Sequence, residues 1–175
     1  LHRIASVIKE YNIYHHVEFC GDSPLIDYHI IDTAIGLYFK FLKKHQCVYN
    51  ASEISYPPGQ DVMVYKGKYL LDLDEKIEKN SPKREHVGFN LLSLDNFSIY
   101  SLKARGHYHF PEIYLEVDTK KDFDFIEKII THFHNRNKDY FSLSEIIDFL
   151  SQKPELSKIN KNEHRRWKDL KDNLI

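Results

Sequence analysis

The chain has 175 residues, with 25 basic and 26 acidic side chains and a formal net charge of −1. That length suits one α/β domain with its own core, and the balanced charge excludes a protein whose main task is to wrap nucleic acid or coat an anionic membrane. Hydrophobic residues make up 42% and aromatics 14%, which excludes a disordered chain as well. No apolar run approaches the ~20 residues of a membrane span, and no signal peptide opens the chain. Cys20 and Cys47 lie in apolar, strand-like stretches, where buried free thiols in a reducing, cytoplasmic setting are expected. The first residue is Leu1 rather than methionine, so a longer parent is expected.

Helical and strand periodicities alternate along the chain. Leu1 to Tyr11 carries Ile4, Val7 and Ile8 on one face and reads as the end of a helix. Val17 to Cys20 reads as a short strand running into Gly21-Asp22-Ser23-Pro24. Asp27 can cap a helix from Tyr28 to Lys44, and Gln46 to Asn50 reads as a second strand. Tyr56-Pro57-Pro58-Gly59 is turn chemistry, followed by a strand through Val62 and Val64. Leu70, Leu73 and Ile77 mark a helix ending near Asn80, and Ser81-Pro82 is a sound start for another.

Phe97 to Lys103 and Glu112 to Val117 read as strands, the second alternating through Ile113, Leu115 and Val117. Thr119 with Asp122 predicts a capped helix carrying Phe123, Ile126, Ile130 and Phe133. Ser142 with Glu145 repeats the device before Leu143, Ile146, Ile147 and Leu150, and Pro154 stops that helix. Residues 158–175 are strongly charged and read as a surface helix or tail behind a domain of residues 1–157. Strands alternating with helices predict an α/β sheet covered on both faces. Ligands in such folds bind beyond the carboxyl ends of the strands.

Two acids sit at such places. Phe19-Cys20-Gly21-Asp22 releases an apolar strand through glycine into an aspartate, and Glu116-Val117-Asp118-Thr119 delivers Asp118 just before a helix. Two carboxylates there can hold one hard divalent cation, typically Mg²⁺, together with phosphate oxygens. The same residues can serve instead as helix caps and turn formers, the reading that spacing alone favours.

Several motifs in order resemble one family. Gly21-Asp22-Ser23-Pro24-Leu25-Ile26-Asp27, Val48-Tyr49-Asn50 and Tyr56-Pro57-Pro58-Gly59-Gln60-Asp61-Val62 come first. Arg84-Glu85-His86-Val87 and Val117-Asp118-Thr119-Lys120-Lys121-Asp122-Phe123 follow, with Pro154-Glu155-Leu156 and Ile159-Asn160 closing the set. Together they resemble the bacterial sugar cytidylyltransferases of the spore-coat polysaccharide type, related to acylneuraminate and 3-deoxy-manno-octulosonate cytidylyltransferases. The resemblance implies a three-layer nucleotidyltransferase fold, Rossmann-like and GT-A-like, with a mixed sheet. It implies transfer of CMP from CTP to a sugar or sugar-acid hydroxyl, with release of pyrophosphate, for surface polysaccharide synthesis.

Carried onto this chain, the resemblance makes Asp22 and Asp118 the Mg²⁺ ligands. It puts Asn50, Asp61, Arg84 and Glu85 on the sugar side. There Arg84 could bind a carboxylate bidentately, and His86 could help deprotonate the attacking hydroxyl; structural pairing remains open for each. A homodimer is the expected assembly by analogy. A degenerate, non-catalytic binding module is the competing reading.

The departures are specific. The basic glycine loop with which the family opens has no counterpart here, so the match covers an N-terminally truncated version of the fold. Glu18 stands where relatives often carry arginine, Met63 replaces a common acid, and Lys120-Lys121 replaces Pro-Glu. Of the 11 histidines, His107 and His109 could share a strand face without an evident third ligand. Arg165-Arg166-Trp167-Lys168 is flanked by acids and reads as a solvated helix rather than a nucleic-acid patch.

Overall fold

A computed structural model describes residues 1–85 and 87–165. The chain divides into two compact units, each assembled from separate stretches of sequence. The first comprises Leu1–Glu18, Ile31–Tyr49 and Val62–Leu102. The second comprises Phe19–Ile30, Asn50–Asp61 and the described residues from Lys103 onward.

The first unit holds a four-stranded mixed sheet of β1 (His15–Glu18), β2 (Cys47–Tyr49), β3 (Met63–Lys66) and β4 (Ile99–Ser101), in the order β1-β3-β2-β4. β3 is antiparallel to β1 and β2, and β2 is parallel to β4. In the two central strands Val48, Val64 and Tyr65 are almost wholly buried, β-branched and aromatic side chains that suit a pleated surface. Successive side chains of a strand point to opposite faces, and both faces are covered. Tyr38 and Phe41 of α2 (Tyr28–Phe41) meet His15, through its Nδ1 at 2.9 Å, and the ring of Tyr100. On the other face, Glu18 accepts a hydrogen bond from the Tyr65 hydroxyl and another, of 2.9 Å, from the Gly88 N–H in a 3₁₀ segment Gly88–Ser93. Helices α1 (His2–Glu10) and α3 (Lys68–Lys76) pack on each other in the same unit.

The second unit is built on α4 (Lys120–His134) and α5 (Leu143–Gln152). Both open on the predicted capping boxes, Thr119 with Asp122 and Ser142 with Glu145, so the N–H groups of the cap and of the third helical position are satisfied in each. The ring of Phe133 stacks on Phe141 at 4.1 Å and meets Phe149 edge-on at 6.0 Å, joining the two helices.

Several expectations are corrected. Glu112–Val117 is not a strand, because its amides bond to loops instead of a ladder: Leu115 N–H to Pro58 C=O and Val117 N–H to Asp22 C=O. The helix expected after Ser81 is a single 3₁₀ turn, Pro82–Arg84, although Ser81 caps it as predicted. α4 buries Ile126 and Phe133 of the expected face together with Phe125 and Ile129, while Phe123 and Ile130, at the edge of the apolar arc, stay 48% and 41% exposed. Cys20 is exposed while Cys47 is buried. In the described part of the charged C-terminal stretch, Asn160 and Arg165 are buried while Lys158, Lys161, Asn162 and His164 are exposed.

Candidate functional site

Asp22 and Asp118 are both exposed and both belong to the second unit. The Val117 N–H donates to the Asp22 carbonyl at 2.9 Å, so the two acid-bearing loops are bonded to each other one residue away from Asp118. Sequence reasoning placed Asp118 at a strand end; it follows instead a segment that belongs to no strand. Asp118 is then followed directly by the Thr119 cap of α4, where the helix end favours negative charge nearby.

The loop that carries Asp22 is fastened from below. Gln60 is 0% exposed, and its side chain both accepts from the Asp27 N–H and donates to the Leu25 carbonyl, each at 2.8 Å. Asp27 caps the start of α2 through the His29 N–H at 2.8 Å, while its second oxygen accepts from the Leu143 N–H at 2.7 Å. Asn50 is buried and donates to the Gln60 carbonyl at 2.6 Å, which holds it beside the Asp61 backbone rather than pointing freely into solvent. Gly59 has φ +96°, and a Cβ there would lie 2.5 Å from the Leu115 carbonyl carbon. Glycine therefore permits the Pro58–Leu115 hydrogen bond of 2.7 Å that ties the turn to the Asp118 segment.

Arg84 and Glu85 fall in the first unit. The Arg84 guanidinium closes on the Asp74 carboxylate and donates to the carbonyls of Ile77, at 2.6 Å, and Asp74, at 3.3 Å. Its fork, expected to meet a substrate carboxylate, is used here to fasten the 3₁₀ turn to the end of α3. Burial works to raise the Asp74 pKa, but hydrogen bonds from His2 and Arg84 outweigh it and hold the carboxyl below its usual range. Glu85 is exposed on that turn, and His86 lies outside the described residues. Glu18 reaches this region through Gly88, two positions beyond His86.

Sequence reasoning missed the most buried charge in the second unit. Asp122 is 0% exposed, and its carboxylate receives Arg165 through both oxygens, at 2.8 and 2.7 Å, and Asn160 Nδ2 at 2.8 Å. The same carboxylate accepts the backbone N–H groups of Asp118, at 3.2 Å, and Thr119, at 2.8 Å. Burial alone would raise its pKa, yet the bonds from Arg165, Asn160 and Thr119 prevail and lower it. Asp122 was legible as a helix cap, but its partner stands 43 residues further on, where no local pattern points back to it.

Among the described residues, no group of three or more His, Cys, Asp and Glu side chains comes together as a metal cage. His107 pairs with Asp148 at 3.3 Å, and His132 stacks on Phe149 at 3.7 Å. Two exposed carboxylates on bonded loops are nonetheless the donor set suited to Mg²⁺, which takes its other oxygens from phosphate and water. No described helix is long and apolar enough to cross a membrane.

No family model matches the chain. It is 28% identical over 152 residues to an uncharacterised protein of Methanocaldococcus jannaschii, a match covering 83% of this chain and 57% of that protein. Among solved structures it resembles a cytidylyltransferase from Leptospira borgpetersenii, with a TM-score of 0.77, 22% identity and coverage of 94% of this chain and 66% of that one. The chain thus spans about three-fifths of the length of the proteins it matches. Its mixed α/β fold is that of a cytidylyltransferase of the nucleotidyltransferase type.

Proposed function

We propose that the protein takes part in Mg²⁺-dependent nucleotidyl transfer, moving CMP from CTP to a sugar or sugar-acid hydroxyl with release of pyrophosphate. The observation that carries this reading is the Val117–Asp22 backbone bond, which joins the loops of two exposed aspartates in a fold shared with a cytidylyltransferase. Asp22 and Asp118 would hold the cation. When bound, such an ion neutralises phosphate charge and orients the triphosphate.

The remaining roles follow from the chain's own residues. Gln60, through Leu25 and Asp27, keeps the Asp22 loop in one conformation, so the carboxylates are preorganised rather than ordered at the moment of binding. Asn50, bonded to the Gln60 carbonyl, and the neighbouring Asp61 belong to the sugar side of the reaction in this reading. Arg84 holds the turn that presents Glu85, and His86 is the group that takes the proton from the attacking hydroxyl.

The test is pyrophosphate release from CTP and Mg²⁺ with a panel of sugar acids and neutral sugars, using the natural polypeptide. Asp22→Ala and Asp118→Ala should each lower turnover by at least 10²-fold, in line with the loss of a charge-stabilising group. Undiminished turnover in both variants would sink the assignment.

A further inference from the structure

Three consecutive backbone amides at the Asp118 loop have fixed destinations. Val117 donates to the Asp22 carbonyl, and Asp118 and Thr119 both donate to Asp122 Oδ2. The loop on which Asp118 rides is therefore held on one side by its neighbour loop and on the other by a single carboxylate. That carboxylate is oriented in turn by Arg165, which is 1% exposed and grips it through both nitrogens of its fork.

The guanidinium is held on several sides through Nη1 and Nη2. Its Cζ lies over the Tyr114 ring, 4.4 Å from the centroid, Nη2 also donates to the Asn160 carbonyl at 3.1 Å, and Glu116 stands 3.8 Å from Nη1. Asn160 adds its own bond to Asp122 and a second, of 3.0 Å, to the Tyr114 carbonyl. A buried arginine is costly to desolvate, and one that only closed a helix cap would be a poor exchange for a neutral side chain. Here its fork fixes the rotamer of the carboxylate that holds two successive loop amides, a service a point charge could not supply.

We propose that Arg165 is a positioning residue for the divalent-cation site: acting through Asp122, it sets the backbone of Asp118 and so the direction in which that carboxylate is offered. The proposal rests on the nucleotidyl-transfer reading of Asp118. It also makes residues 158–165 part of the site rather than an appendage to it. Outer partners of metal ligands change metal affinity by about 10–100-fold when removed, and Arg165 stands one step beyond such a partner.

The test is Mn²⁺ binding to the natural polypeptide, followed by electron paramagnetic resonance, with thermal unfolding recorded in parallel. Arg165→Gln and Asp122→Asn should weaken Mn²⁺ by about 10–100-fold, and Arg165→Lys should fall between them and the wild type. Leu73→Ala, in the core of the other unit, should lower the melting temperature and leave the affinity intact. Arg165 variants that melt lower but bind Mn²⁺ as tightly as the wild type overturn the proposal alone. If Arg165→Gln does not fold, wild-type affinity in Arg165→Lys does the same. A wild type that binds no Mn²⁺, or an Asp118→Ala variant that binds it normally, overturns the underlying reading and the proposal with it.

Discussion

At the scale of single residues, the Asp22 loop depends on the side chains packed beneath it. Gly59 and Gln60 occupy adjacent places in one motif and do different work. Gly59 supplies a left-handed turn with no room for a Cβ, and Gln60 supplies the donor and the acceptor that pin the Asp22 loop. Gly59→Ala should cost about 2–4 kcal/mol, combining a strained φ with a 2.5 Å collision against backbone that cannot yield. Urea denaturation checks this, and a loss below 1 kcal/mol would mean that the turn relaxes. The turn was legible because proline and glycine announce it. The need for glycine was not, because it comes from Leu115, a residue 56 positions away whose approach no local pattern encodes.

At the scale of elements, the helix starts were the most legible part of the chain. Capping boxes are local, and both predicted ones formed around α4 and α5. Ser142→Ala should therefore destabilise the protein by about 1 kcal/mol and Ser142→Gly by only a few tenths, measurable from the shift in denaturation midpoint at constant slope. Equal losses for the two would show that Asp27, which also accepts from the Leu143 N–H, carries the cap on its own. The strands were less legible. Glu112–Val117 alternates as a strand should, yet its amides are claimed by Pro58 and Asp22 from two separate loops. Alternation reports which side chains face inward, and says nothing of where the backbone bonds go. The face of α4 was legible in part, since Ile126 and Phe133 are buried as expected while Phe123 and Ile130 at its edge stay exposed.

At the scale of the whole molecule, the resemblance in motif order and the likeness in fold lead to the same place by separate routes. The loops that carry Asp22 and Asp118 are joined by one backbone bond, and the fold is like that of a cytidylyltransferase. What the sequence hid was the buried network beneath Asp118, because Asp122 and Arg165 pair across 43 residues through a stretch that reads as solvated charge. That network gives stability a pH dependence of definite sign. Asp122 has a folded pKa below its unfolded value, so its contribution is complete above the ordinary carboxylate range of about 4 and is lost as the pH falls through the lowered folded value. Acid unfolding of the wild type should accordingly steepen below about pH 4, and Asp122→Asn should flatten that limb. An unchanged acid limb in the variant would place the charge balance elsewhere.

The central claim is that Asp22 and Asp118 act as a pair on one cation, and a double-mutant cycle on metal-dependent turnover tests it most directly. Pyrophosphate release by the natural polypeptide would be titrated with Mg²⁺ for the wild type, Asp22→Asn, Asp118→Asn and the double variant. Shared coordination predicts that either single change removes most of the Mg²⁺-dependent rate and that the second adds little, a strongly non-additive cycle. Additive losses, or a rate that keeps its Mg²⁺ dependence in the double variant, would contradict the account.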